Sequence, residues 1–199
     1  MHNSKIPVFV IRDYKVPNFV DENTLVFAVS YSGNTEETLS AFEDATRKKA
    51  KIVAVTSGGS LAARAKKVIK VPSGLQPRAA LGYLFFPVLG VLVNSGIVSV
   101  KDAEIKEMLD VLSKTNEFKT AGEKIAKKIG NRIPIVYASE MLSAVAYRWK
   151  TQFNENSKSA AFYHVFSEMN HNEIAAYETM ERNKFIAIFL RDKEDNERI

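Results

Sequence analysis

An apolar run at residues 24–29 passes without a spacer into Ser30-Tyr31-Ser32-Gly33-Asn34-Thr35-Glu36-Glu37-Thr38, and that segment leads into Leu39, Phe42 and Ala45 at helical spacing. A buried strand that opens straight into a helix restricts the chain to an α/β class. It also fixes where a ligand is to be sought. In open α/β sheets, ligands bind outside the carboxyl ends of the strands.

The chemistry of residues 30–38 suits an anion. The first N–H groups of a helix lack internal partners, and the dipole there is positive. A phosphate satisfies both. Ser30, Ser32, Thr35 and Thr38 add hydroxyls, and Gly33 permits close backbone approach or a positive φ. The same residue types also serve as plain N-caps, which Thr35 and Thr38 could be under either reading. The Gly-Lys-Ser/Thr ending of a nucleotide P-loop is missing.

The alternation continues along the chain. Residues 6–11 and 51–55 read as buried strands, and Thr56-Ser57-Gly58-Gly59-Ser60 follows the latter. A helix is expected over 61–67, a short strand over 68–71 and a helical region over about 78–94. Amphipathic helices are expected over 101–114 and 118–129, the second ended by Gly130. The pattern then restarts, with strands at 133–137 and 185–190 and a helix at 141–153. Parallel βαβ units follow from this order. The organisation expected is a first unit at 1–97, a connecting helix at 98–116 and a second unit at 117–199. The residues from Arg191 onward read as solvated or frayed.

Composition narrows the function. With 46% hydrophobic and 26% charged residues the chain has a globular balance. The net charge of +5 favours anionic ligands. No basic arm with interleaved aromatics points to nucleic acid; Arg47-Lys48-Lys49 reads as a helix end. With no cysteine there is no disulfide, thiolate metal site or cysteine nucleophile, which fits a cytoplasmic protein. The apolar stretch at 79–93 is interrupted by Gly82, Pro87 and Gly90, so a buried helix is expected rather than a membrane span. The histidines lack metal-ligand spacing, and neither a metal nor a cofactor is expected. His164 reads as packing and His2 as tail. Tyr83, Phe85 and Phe86, like Phe162, Tyr163 and Phe166, read as core. The Lys/Glu content gives a weak thermophilic signal.

Ser30–Thr38 resembles the phosphosugar-binding loop of sugar isomerase (SIS) domains, and Thr56–Leu61 resembles their second loop. Three further segments sharpen the resemblance: Gln76-Pro77-Arg78-Ala79, Gln152-Phe153-Asn154-Glu155-Asn156 and Glu168-Met169-Asn170-His171-Asn172-Glu173. Together they are similar to the archaeal-type bifunctional phosphoglucose/phosphomannose isomerases. The resemblance implies two SIS-type units, each a parallel sheet flanked by helices in three layers, joined by a helical segment. It implies aldose–ketose isomerisation of glucose 6-phosphate and fructose 6-phosphate, with mannose 6-phosphate as a second substrate.

Such a reaction needs a base between C1 and C2, an acid/base for ring opening and a cation near the enediolate. The resemblance gives these roles to Glu155, His171 and Arg78. It assigns the phosphate to Ser30, Ser32, Thr35 and Ser57. In relatives the histidine comes from a partner subunit, which implies a homodimer with shared active sites. Read without the resemblance, Glu155 and Arg78 are surface charges and His171 is a cap or a structural residue. Glu168 is a rival base. Two other functions stay open: a non-catalytic SIS module that senses a sugar phosphate, and an SIS isomerase of another sugar. The resemblance also implies a strand with a Gly-Gly-Ser loop before residue 6 and a lysine-bearing helix after the last strand. Neither stands in this sequence, and Lys184 and Lys193 lack the matching context. Weak or absent isomerase activity is therefore expected of these 199 residues alone.

Overall fold

A computed structural model describes residues 4–198; His2 and Ile199 lie outside them. The chain divides into two compact units, one up to Met108 and one from Leu109 onward. Both are built on parallel strands with helical crossovers.

In the first unit the order is β1 (Leu25–Val29), α1 (Glu36–Arg47), β2 (Lys51–Thr56), α2 (Gly59–Arg64), β3 (Val68–Lys70), a 3-10 turn at Pro77–Ala79 and α3 (Leu81–Asn94). The sheet order is β1-β2-β3, all parallel, with Ala28 opposite Ala54 and Val55 opposite Ile69. Period-2 alternation sends these residues to two faces. On one face Ala28, Ala54 and Leu61 pack with Phe42 of α1. On the other, Tyr31, Val55, Val71 and Ala80 pack with Leu84 and Val88 of α3. The result is three layers, which is why β2 carries apolar side chains on both faces.

The helix ends follow local chemistry. Glu36 and Glu37 stand at the positive end of α1 and Arg47 at its negative end. Lys48 then donates to the Val16 and Pro17 carbonyls, tying the entry segment to the helix. Asp44 accepts from the Val16 N–H, and that bond holds its carboxyl below the usual carboxylate range.

The second unit holds α5 (Thr115–Ile129), β4 (Ile133–Ala138), α6 (Ser143–Asn156), β5 (Phe162–Val165), α7 (Phe166–His171), a 3-10 segment at Glu173–Glu178 and β6 (Phe185–Leu190). α4 (Asp102–Leu112) spans the division. The sheet order is β5-β4-β6, again parallel. Val136 and Ala138 face Ala146, Trp149 and Phe153 of α6. Ile135 and Tyr137 face Phe166, Met169 and Tyr177. Gly130, at φ 56, ends α5 as expected.

Several sequence expectations give way to the structure. Residues 6–11 are not a buried strand. They form no ladder, and Phe9 and Val10 are 62% and 60% exposed. A strand exists only beside a hydrogen-bonded neighbour, and among the described residues this run has none. Tyr83, Phe85 and Phe86 are not core either, because α3 is apolar on every side while only its Leu84/Val88 face meets the sheet. Of the second aromatic group, Phe166 is buried but Phe162 is exposed, on β5, a strand too short for its pattern to stand out in the sequence. Residues 191–195 are largely exposed, as expected, but are held in a turn rather than frayed. Asp195 accepts from the Asp192 N–H and Arg191 Nε, both at 2.9 Å, which closes a turn around a carboxylate that is 1% exposed.

Candidate functional site

In the first unit, the loops after β1 and β2 interlock. Gly33 has φ +70, and a Cβ placed there would lie 1.9 Å from the Gly58 carbonyl oxygen. Gly59 has φ +68, and its Cβ would lie 2.3 Å from the Ser32 carbonyl oxygen. Each glycine therefore admits the backbone of the other loop. Leu61 N–H donates to the Gly33 carbonyl at 2.9 Å, and Ser60 N–H donates to Asn34 Oδ1 at 2.9 Å. The Tyr31 carbonyl accepts from both the N–H and the hydroxyl of Ser57, at 2.9 and 2.6 Å.

This geometry separates the four serine and threonine candidates. Ser30 is buried and accepts from the Gly33 N–H at 3.1 Å, while its hydroxyl lies 2.8 Å from Thr35 Oγ1. When Ser30 donates in that pair, the Thr35 hydroxyl hydrogen is released for a ligand. Ser57 donates its hydroxyl hydrogen within the loop pair, so in this state it shapes the site. Ser32 is exposed and accepts from the Asn34 N–H at 3.2 Å, which leaves its own hydrogen free to donate. Thr35 is the N-cap of α1 and makes no side-chain cap bond, so the opening turn of the helix keeps its N–H donors. Ser32, Thr35 and that turn all lie in the segment that follows the carboxyl end of β1.

Arg78 is half-buried in the 3-10 turn that follows Pro77, in the same unit. Its Nη1 donates to Gln76 Oε1 at 3.4 Å.

In the second unit, Glu155 is exposed in the last turn of α6, and its carbonyl accepts from Lys158 Nζ at 2.6 Å. The cleft beside it, about 350 Å³, is lined by Trp149, Gln152, Phe153, Asn156 and Ser157. His171 is exposed at the end of α7. Glu168, the rival base, accepts from Asn172 Nδ2 at 2.9 Å and so braces the turn after His171.

The sequence reading missed what holds this segment down. Tyr137 donates to Glu173 Oε2 at 2.7 Å and accepts from the Tyr177 hydroxyl. His164 Nδ1 lies 3.6 Å from Glu173 Oε1, so His164 faces a carboxylate rather than serving only as packing. Burial pushes the Tyr137 hydroxyl far above the ordinary tyrosine range, with the bonds to Tyr177 and Glu173 adding to the shift, so it stays protonated and donates. Tyr137→Phe is expected to lower stability by about 1–3 kcal/mol, because a buried bond to a carboxylate is lost. A denaturant midpoint unchanged by the substitution would rule out that bond.

Among the described residues, no helix is long and apolar enough to cross a membrane. None of their acidic and histidine side chains form a group of three placed to hold a metal.

Comparison with known proteins gives a consistent result. Residues 2–84 match the family described as SIS domain, and residues 118–199 match the bacterial phospho-glucose isomerase C-terminal SIS domain. The chain is 48% identical over 209 residues to a bifunctional phosphoglucose/phosphomannose isomerase of Caldicellulosiruptor bescii, covering 98% of this chain and 62% of the relative. It is 36% identical over 187 residues to a D-glucosamine-6-phosphate 4-epimerase of Sulfolobus acidocaldarius, covering 91% and 59%. The chain thus spans about three-fifths of the length of these relatives. Among solved structures, a glucosamine-6-phosphate deaminase from Thermotoga maritima shares the fold with a TM-score of 0.70, at 16% identity, covering 92% of this chain and 57% of that one.

Proposed function

The chain belongs to the SIS-domain family, and from that footing we propose that it isomerises hexose 6-phosphates between aldose and ketose through a cis-enediolate. The substrates are glucose 6-phosphate and fructose 6-phosphate, with mannose 6-phosphate as a second aldose. The observation that carries the reading is the interlocked loop pair. It holds Ser32, Thr35 and the opening turn of α1 in the segment beyond the carboxyl end of β1, which supports a phosphate site there. The 48% identity to a named isomerase supports the reaction.

In this reading Ser32 and Thr35 grip the phosphate, and Ser30 and Ser57 hold the two loops in shape. Glu155 is the base that moves the proton between C2 and C1. Arg78 stabilises the enediolate, and His171 assists ring opening. The remaining partner is a second copy of the chain, and the location is the cytoplasm.

The epimerase relative favours a second reading, in which the same phosphate grip serves a different change to the sugar. Both are tested by incubating the protein with fructose 6-phosphate and following glucose 6-phosphate and mannose 6-phosphate by coupled dehydrogenase assays. Formation of either aldose above a heat-inactivated control is expected, with inorganic phosphate as a competitor. Binding of fructose 6-phosphate without turnover would point to the non-catalytic module. Failure to bind any phosphosugar would remove the proposal.

A further inference from the structure

Tyr31 sits inside the phosphate loop, yet its side chain takes no part in gripping the ligand. It is 8% exposed and packs with Val55, Val71 and Ala80 beneath α3. A phenylalanine would fill that space, so the hydroxyl needs a separate explanation. It donates to the Pro72 carbonyl at 2.9 Å and accepts from the Leu75 N–H, also at 2.9 Å. Both bonds reach the segment that leaves β3 and enters the Pro77–Ala79 turn. Gly74, at φ +94, folds that segment so that residues 72 and 75 meet one oxygen. Arg78 follows three residues after Leu75.

The main chain of Tyr31 is fixed as tightly as its side chain. Its carbonyl takes the two bonds from Ser57 and a third, at 3.3 Å, from Thr56 Oγ1. Its sequence neighbours are Ser30, which orients Thr35, and Ser32, which offers its hydroxyl. One residue therefore joins three loops: those after β1, β2 and β3.

We propose that Tyr31 is a positioning residue that couples occupation of the phosphate loop to the placement of Arg78, through its hydroxyl bonds to Pro72 and Leu75. The proposal rests on the sugar-phosphate reading of residues 30–38. When a phosphate draws in Ser32 and Thr35, the main chain between them and Tyr31 tightens. The phenol carries that constraint to residues 72–75, and the turn bearing Arg78 settles with them. The loop that anchors the substrate thereby readies the cation that acts on its other end.

Amide hydrogen exchange tests this on the full chain, with inorganic phosphate as the probe. An effect at residues 75–79 that is lost in Tyr31→Phe while residues 32–38 stay protected is one carried through the phenol. In the wild type, phosphate is expected to slow exchange at residues 32–38 and also at residues 75–79. In Tyr31→Phe without ligand, Leu75 is expected to exchange about tenfold faster, as its acceptor is gone. With phosphate, the variant keeps protection at 32–38 and loses it at 75–79. In turnover, Tyr31→Phe lowers kcat for fructose 6-phosphate about tenfold and leaves KM within about twofold. Protection at 32–38 together with equal protection at 75–79 in both proteins would overturn the coupling and leave phosphate binding intact. No protection at 32–38 in either protein would overturn the phosphate reading, and the coupling with it.

Discussion

Replacing Gly33 by alanine is expected to destabilise the first unit by on the order of 3 kcal/mol and to abolish phosphate binding. Two costs add. At φ +70 any L side chain is strained by about 1–2 kcal/mol. The new methyl would also stand 1.9 Å from the Gly58 carbonyl oxygen, a main-chain atom that cannot swing aside. Relief requires the loops after β1 and β2 to part. Parting them breaks the bond from the Leu61 N–H to the Gly33 carbonyl and strains those from Ser57 to the Tyr31 carbonyl. The hydroxyls of Ser32 and Thr35 then lose their common aim. Gly74→Ala is the matched control. Its φ is +94, yet nothing lies within 4 Å of the added Cβ, so only the backbone strain applies. Thermal unfolding should show Gly33→Ala melting roughly 10 °C below the wild type and Gly74→Ala only a few degrees below it. Equal losses from the two substitutions would show that the close approach of the loops contributes nothing.

Glu155→Gln is expected to lower kcat for hexose 6-phosphate isomerisation by about 10²–10⁴-fold, the range that a positioned base contributes. Fructose 6-phosphate affinity should stay within about twofold, because the substitution leaves the proposed phosphate ligands Ser32 and Thr35 unchanged. Stability should change by no more than about 1 kcal/mol, the scale of an exposed ionic contact. Glu155 occupies the last turn of α6, where a negative charge opposes the helix dipole, and no basic side chain shares that turn. Its side chain is exposed, and the bond from Lys158 uses its main-chain carbonyl, which glutamine keeps. Binding by calorimetry and turnover by the coupled assay separate the two effects. Retained turnover would remove Glu155 as the base and return attention to Glu168. That rival is committed to Asn172 through Oε2, a bond a free base would have to give up.

The legible parts of the fold were those governed by local rules. The passage from 24–29 into a hydroxyl-rich helix start carried its own signature, and β1, the loop and α1 lie where the pattern put them. Gly130 ended α5 for a reason visible in the chain, since many helices close through a positive-φ residue and glycine takes that conformation without strain. Residues 6–11 mark the opposite case. Their composition is that of a strand, but strand formation depends on a neighbour, and composition carries no information about neighbours. α3 is a third kind of case. Its sequence is apolar on every side, so periodicity could not tell Leu84 and Val88, which meet the sheet, from Phe85 and Phe86, which do not.

The site divides along the same line. Residue types at fixed spacing were enough to mark Ser30, Ser32 and Thr35, because a hydroxyl-rich helix start has a chemical signature; Ser57, Arg78, Glu155 and His171 were marked only by the resemblance to the isomerase family. The separate duties of the serines and threonine depend on where each hydroxyl hydrogen points. Ser57 donates to the Tyr31 carbonyl, Ser30 and Thr35 share one hydroxyl–hydroxyl bond, and Ser32 accepts from the Asn34 N–H with its own hydrogen left to donate. The bonds from Tyr31 to Pro72 and Leu75 span 41 and 44 residues, and that from Tyr137 to Glu173 spans 36. No local pattern encodes pairings of that range. The sequence by itself determined that residues 30–38 carry a strand into a hydroxyl-rich helix start. Only the tertiary structure decided which hydroxyls bond within the loops, because that choice is made by contacts between segments distant in the chain.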